Sequence, residues 1–273
     1  MKLHLYFAIF LSTILFSSCT EEKKTAPLKT SQIEDEHAQL NIAPEGFELL
    51  FNGTDFNGWH MVTNGKASDG DLFLVEKGIV HAYPNQKENS EQPFGALITD
   101  AEYENYTLSL EYKWGEKKFS PRNESVRDAG LCFHVFDEDL FWPSGAECQI
   151  QEGDTGDLWL IGVRGSTKVD PNDYHYSVKG ELLTKGGEKD KRYQSFARSF
   201  FWEKNGWNKI IIEVKGASAK FTVNGKLVNE ALNLERLDQK NENWLPLTKG
   251  KILLQAEGAE IFYRNVYIKK PTK

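Results

Sequence analysis

From Gly46 onward, short apolar runs alternate with polar turns at the spacing of strands rather than helices. Tyr106–Trp114 is the clearest run. Tyr106, Leu108, Leu110, Tyr112 and Trp114 share one face, and Thr107, Ser109, Glu111 and Lys113 share the other. Comparable runs cover Phe47–Phe51, Leu72–Val75, Gly78–Tyr83, Gly130–Phe136, Ala146–Gln151, Trp207–Val214, Lys220–Val223, Lys226–Val228, Lys251–Gln255 and Glu260–Ile268. Asn224-Gly225 separates two of these runs and is a type I′ hairpin signature, because both central residues of that turn need positive φ. Nothing after Gly46 has helical periodicity over a convincing length. The pattern predicts an all-β domain, a sandwich of two antiparallel sheets. Residues 115–128, 165–193 and 229–249 read as long polar loops, which in compact domains are often functional.

The chain before this domain has a different texture. Lys2 precedes a mostly apolar stretch, Leu3–Phe16, which is too short for a permanent bilayer span of about 20 residues. Ser17-Ser18-Cys19 follows, and the whole reads as a secretory signal peptide. Small residues before a cysteine resemble a bacterial lipobox, in which the cysteine is acylated and becomes the mature N-terminus. The expected organisation is a lipoprotein signal peptide over 1–18, a lipid anchor at Cys19, a polar tether over 19–43 and the β domain over 44–270. The expected location is the cell envelope, exported and lipid-anchored, in the periplasm or on the outer-membrane surface.

Charge narrows the partners. With 33 basic and 40 acidic residues, the net charge of −7 gives no general attraction to nucleic acid. Besides the anchor there are two cysteines, Cys132 and Cys148. Strand alternation puts them on opposite faces, so free thiols are expected.

Polar residues inside strands carry the candidate chemistry. In Ser144–Trp159, alternation sets Glu147, Gln149 and Gln151 on one face and Cys148 and Ile150 on the other. One carboxylate and two amides in a row can hydrogen-bond a neutral polyol, and the carboxylate can also move a proton. The turn Gly153-Asp154-Thr155-Gly156-Asp157 follows, then Trp159, a candidate sugar platform. His134 is expected opposite Leu131, Phe133 and Val135, sharing a face with Glu147. Glu111 and Lys113 are further strand-borne polar candidates. Asp154, Asp157 and loop carbonyls offer a site for a divalent cation; otherwise no cofactor is indicated. There is no nucleophile elbow, phosphate loop, dinucleotide fingerprint or His-Glu-x-x-His motif.

The order of several short motifs resembles the 3-keto-disaccharide hydrolase domain family. They are Gly46–Gly53 with Phe56-Asn57-Gly58-Trp59, Asp128–His134, Glu147–Asp157, Trp207-Asn208, Val223-Asn224-Gly225, Leu254–Gly258 and Tyr263–Val266. The resemblance implies a concanavalin-like jelly roll. It also implies an enzyme for small 3-keto-glycosides, in which a base removes the C2 proton beside the ketone and the C1 group leaves. Glu147 or His134 is then the expected base or acid. Gln149, Gln151, Glu111, Lys113, Asp128, Asp154, Trp159, Gln255 and Glu257 are the expected substrate contacts. Asp128-Ala129-Gly130 and His134 depart from the family's usual Asn-Ser-Gly and Arg. A lectin-like carbohydrate-binding module and a hydrolase using two carboxylates are the alternatives.

Overall fold

The computed structural model describes residues 40–65, 72–138, 141–188 and 190–271. The expected signal peptide, Cys19 and nearly all of the expected tether lie outside these residues. Among the described residues, no helix is long and apolar enough to cross a membrane.

The described residues form strands and turns without a helix, and every pairing between strands is antiparallel. One sheet has seven strands, in the order Tyr193–Phe196, Leu158–Ile161, Ser144–Gln151, Asp128–Phe136, Lys251–Ala256, Gly95–Thr99 and Trp59–Thr63. The other has eleven. Its main path runs Glu181–Gly186, Arg164–Val169, Lys226–Asp238, Ser218–Val223, Asn208–Lys215, Tyr106–Lys118, Ala259–Lys269, Ile79–Ala82 and Phe73–Glu76. Neighbouring strands in each sheet are often far apart in sequence, as crossovers between two stacked sheets require. The chain is a concanavalin-like jelly-roll sandwich, as the sequence pattern and the resemblance together predict.

Alternation explains the layering. Leu108, Leu110 and Tyr112 of one sheet and Ala129, Leu131, Cys148 and Ile150 of the other are sealed into one core between the sheets. The type I′ turn forms as expected, with φ of 48° at Asn224 and 80° at Gly225. Both cysteines are free, Cys148 within the main core and Cys132 in a small apolar cluster on the far side of its sheet.

The expected loops differ. Residues 165–193 and 229–249 contain edge strands, including Glu181–Gly186 and Asn243–Pro246, and Lys226–Asp238 continues far past Val228. Polar residues hid these extensions. Asn229 is buried, yet its amide donates to the carbonyls of Gly156 and Phe196, so an apolar run was not needed there.

Candidate functional site

The seven-stranded sheet turns an unusual outer face to solvent. In register, Glu147 stands between Cys132 on one neighbouring strand and Trp159 on the other. Asp128 pairs with Gln151, and Gly130 with Gln149. These pairings gather Asp128, Glu147, Gln149, Gln151, Trp159 and Gln255 around a cleft of about 320 Å³, completed by Arg122, Trp142, Ile161, Tyr193 and Glu257. A larger depression of about 790 Å³ lies between Asn105 and Lys270. Its lining of four lysines with Glu213 lacks such a convergence of acids and amides.

Gly130 forms the floor. A Cβ there would stand 1.9 Å from Glu147 Oε1 and 2.4 Å from Gln255 Oε1, so only the missing side chain lets these two groups converge. Glu147 is 5 % exposed. Burial, then the charges of Glu257 and Asp128, push its carboxyl well above the ordinary 4.5. Glu257 is pushed to about 7, first by burial and then by Asp128, against the opposing pull of Arg122. Burial likewise raises Asp128 above its usual range, outweighing Arg122. Arg122 donates to Glu257 Oε1 at 2.6 Å and to Asp128 Oδ2, which also accepts from Gln151 Nε2 at 2.8 Å. Two of the three carboxyls therefore share one guanidinium, and Glu147 has no cationic partner among the described residues. All three carboxyls are raised above their usual range, Glu257 to about 7, and such a set can serve as acid and base within one cleft.

Aromatic rings wall the cleft. Trp159 comes from the strand beside Glu147, and Tyr193 from the edge strand, opposite Ile161. Trp142 is laid over the apolar cluster of Ile98, Cys132 and Leu253, and its carbonyl accepts from Arg192 Nη2 at 2.7 Å.

Several expected contacts are elsewhere. A bulge interrupts the strand between Phe133 and Phe136, and His134 sits in it at φ 53°. The extra residue reverses alternation, so Val135 joins Cys132 on the outer face. His134 is sealed away, its Nε2 donating to the Gly216 carbonyl at 2.9 Å. Burial lowers its pKa to about 4, so the ring is neutral at ordinary pH and does not reach the cleft. Glu111 and Lys113 belong to the eleven-stranded sheet. Glu111 accepts from Arg264 Nε at 2.7 Å, and the Lys113 ammonium lies 5.1 Å from the Phe262 ring centre. Asp154 and Asp157 both accept from Arg198 Nη1, at 2.8 and 2.9 Å, which fills the position considered for a cation. Among the described residues, no group of three or more His, Cys, Asp or Glu side chains is arranged to hold a metal ion.

Four contributors had no individual signal in the sequence: Arg122, Trp142, Ile161 and Tyr193. Arg122 falls within the long polar stretch 115–128, whose length was itself a signal. Trp142 and Tyr193 reach the cleft through strand order, which one-dimensional alternation does not encode.

Residues 46–269 match the family model of the 3-keto-alpha-glucoside-1,2-lyase-like domain. The chain belongs to this family. A solved structure of a provisionally assigned glycosyl hydrolase from Parabacteroides distasonis is 21% identical, with a TM-score of 0.50 and coverage of 86% of this chain and 100% of that one. A second such protein from the same organism is 18% identical, with a TM-score of 0.48, covering 82% and 99% of the two chains. A carbohydrate-binding module from Bacillus subtilis is 12% identical, with a TM-score of 0.42 and coverage of 78% and 96%. No match was found among curated proteins. Family membership connects the chain to carbohydrate chemistry.

Proposed function

We propose that the protein is an exported, lipid-anchored enzyme of the cell envelope that cleaves small 3-keto-glycosides. The observation that carries this reading is the buried carboxyl of Glu147 among Asp128, Glu257 and a single arginine. A ketone at C3 acidifies the C2 proton, so loss of the C1 group needs a base, a donor to the enolate oxygen and an acid for the leaving oxygen. Glu147, whose carboxyl burial holds well above the usual range, suits the acid. Glu257, near 7, is ionised often enough to be the base, and Asp128 stays paired with Arg122. Arg122, Gln149 and Gln151 are the donors available to the enolate and the sugar hydroxyls. Trp142, Trp159 and Tyr193 offer faces to a pyranose ring.

The assay is incubation of the protein with a 3-keto-glucoside and with the same glucoside unoxidised, following released reducing sugar. Release from the keto compound alone supports elimination. Equal release from both would assign the carboxyls to direct hydrolysis. Binding with no release from either would make the domain a binding module.

A further inference from the structure

The strands that carry the candidate site end at Asp128 and Gln151, and their chain neighbours just outside, Arg127 and Glu152, form an ion pair at 2.8 Å. Beyond that pair lies a second cleft of about 380 Å³, lined by Trp114, Phe201, Arg127, Glu152, Glu203 and Asn205, among others. It shares Trp114 and Gly206 with a depression of about 450 Å³ that continues to Lys113 and Phe262. Lys113, absent from the first cleft, therefore lines this one's extension.

The loop bordering the second cleft exposes three successive aromatic residues, Phe200, Phe201 and Trp202, at 61%, 44% and 39%, and Phe201 of the three lines the cleft with Trp114. Several contacts fix it. Glu203 Oε1 accepts from Tyr112 Oη at 2.6 Å and Trp114 Nε1 at 2.7 Å, and its Oε2 accepts from the Gly153 amide at 3.3 Å. Asn224 Nδ2 donates to the Trp202 carbonyl and the Lys204 amide to Asn208 Oδ1, each at 2.8 Å. The Trp114 ring and the backbone after Phe201 are thus held before a ligand arrives, which lowers the cost of ordering on binding. Two cations, Arg127 and Lys204, balance two carboxylates, Glu152 and Glu203, so a neutral ligand leaves no charge uncompensated. Aromatic faces bordered by guanidinium, carboxylate and amide groups match the alternating C–H faces and hydroxyls of a pyranose. The first cleft also combines aromatic, guanidinium, carboxylate and amide groups, and its Asp128 and Gln151 are the chain neighbours of Arg127 and Glu152.

We propose that this cleft is a second glycan site, holding a neutral pyranose unit of a longer oligosaccharide whose reacting unit occupies the Glu147 cleft. It rests on the glycoside reading for the first cleft, and it extends the substrate class beyond disaccharides.

The test is calorimetric binding of neutral α- and β-linked glucose oligomers and their disaccharides to the full-length protein, to Phe201→Ala and to Asn205→Ala. Thermal melting checks that each variant is folded. At least one oligomer should bind the unaltered protein about tenfold more tightly than its disaccharide, and each variant should lose most of that advantage. Oligomers binding no better than disaccharides would overturn the proposal. So would an advantage that survives in both folded variants. Concentration-dependent self-association abolished by Phe201→Ala would overturn it too, by assigning the rings to a contact between copies of this chain. None of these results depends on turnover of a keto sugar, so failure of the first-cleft chemistry would be recognised separately.

Discussion

The outer faces of the two sheets carry similar residue types in different states. On the eleven-stranded sheet, Glu111 is matched by Arg264, and Glu213 and Lys220 point to solvent. On the seven-stranded sheet, Asp128, Glu147, Gln149 and Gln255 are all buried, and three carboxyls there face one arginine. A matched or hydrated charge costs a fold almost nothing, whereas a buried, under-compensated one is expensive to keep. The contrast separates a solvated sheet face from a chemical one more sharply than alternation along a strand does.

The largest expected effect is at the cleft floor. Glu147→Gln should lower turnover of a 3-keto-glucoside by roughly 10²–10⁴-fold, as expected for loss of an acid–base group, with thermal stability kept or raised. Near-normal turnover would remove Glu147 from the chemistry. His134→Asn keeps a residue that tolerates positive φ but loses the buried ring. Chemical denaturation should report a loss of about 1–3 kcal/mol, with kcat per folded molecule unchanged. A large fall in kcat without destabilisation would bring the histidine back into the mechanism.

A subtler probe is pH. Because the folded state raises Glu257 from 4.5 to about 7, it binds more protons than the unfolded chain over that window. The stabilisation from Glu257 is therefore complete below 4.5 and is lost as pH rises through about 7. Urea midpoints across this range should fall less steeply for Glu257→Gln than for the unaltered protein, and parallel slopes would refute the shift. The smallest effect is expected for Glu111→Gln on the opposite sheet: less than about 1 kcal/mol by denaturation, with turnover unchanged. A substantial loss of turnover there would collapse the distinction between the two faces.

The sequence revealed the class of fold because core strands such as Tyr106–Trp114 obey strict alternation, and it revealed the polar row Glu147, Gln149 and Gln151 for the same reason. It misled at His134, where one residue at positive φ reverses every face that follows. It also placed Glu111 and Lys113 in the site, since alternation says which residues share a face but not which sheet owns the face. Arg122, Trp142 and Tyr193 became visible only with strand order. The family resemblance supplied Asp128, Gln255 and Glu257, which no local pattern singled out.

Arg122 bridges Asp128, six residues away, and Glu257, 135 residues away. The clamp therefore closes only when the end of the domain has joined its middle. Sheets stitched together by such distant partners fold slowly, commonly in milliseconds to seconds, because the long loops must be closed before their contacts repay the cost. A chain emerging from a ribosome would carry Glu147 without Glu257, the partner proposed for it in acid–base chemistry. Recovery of activity during refolding should accordingly be a late event, reporting completion of the whole sandwich rather than formation of any one hairpin.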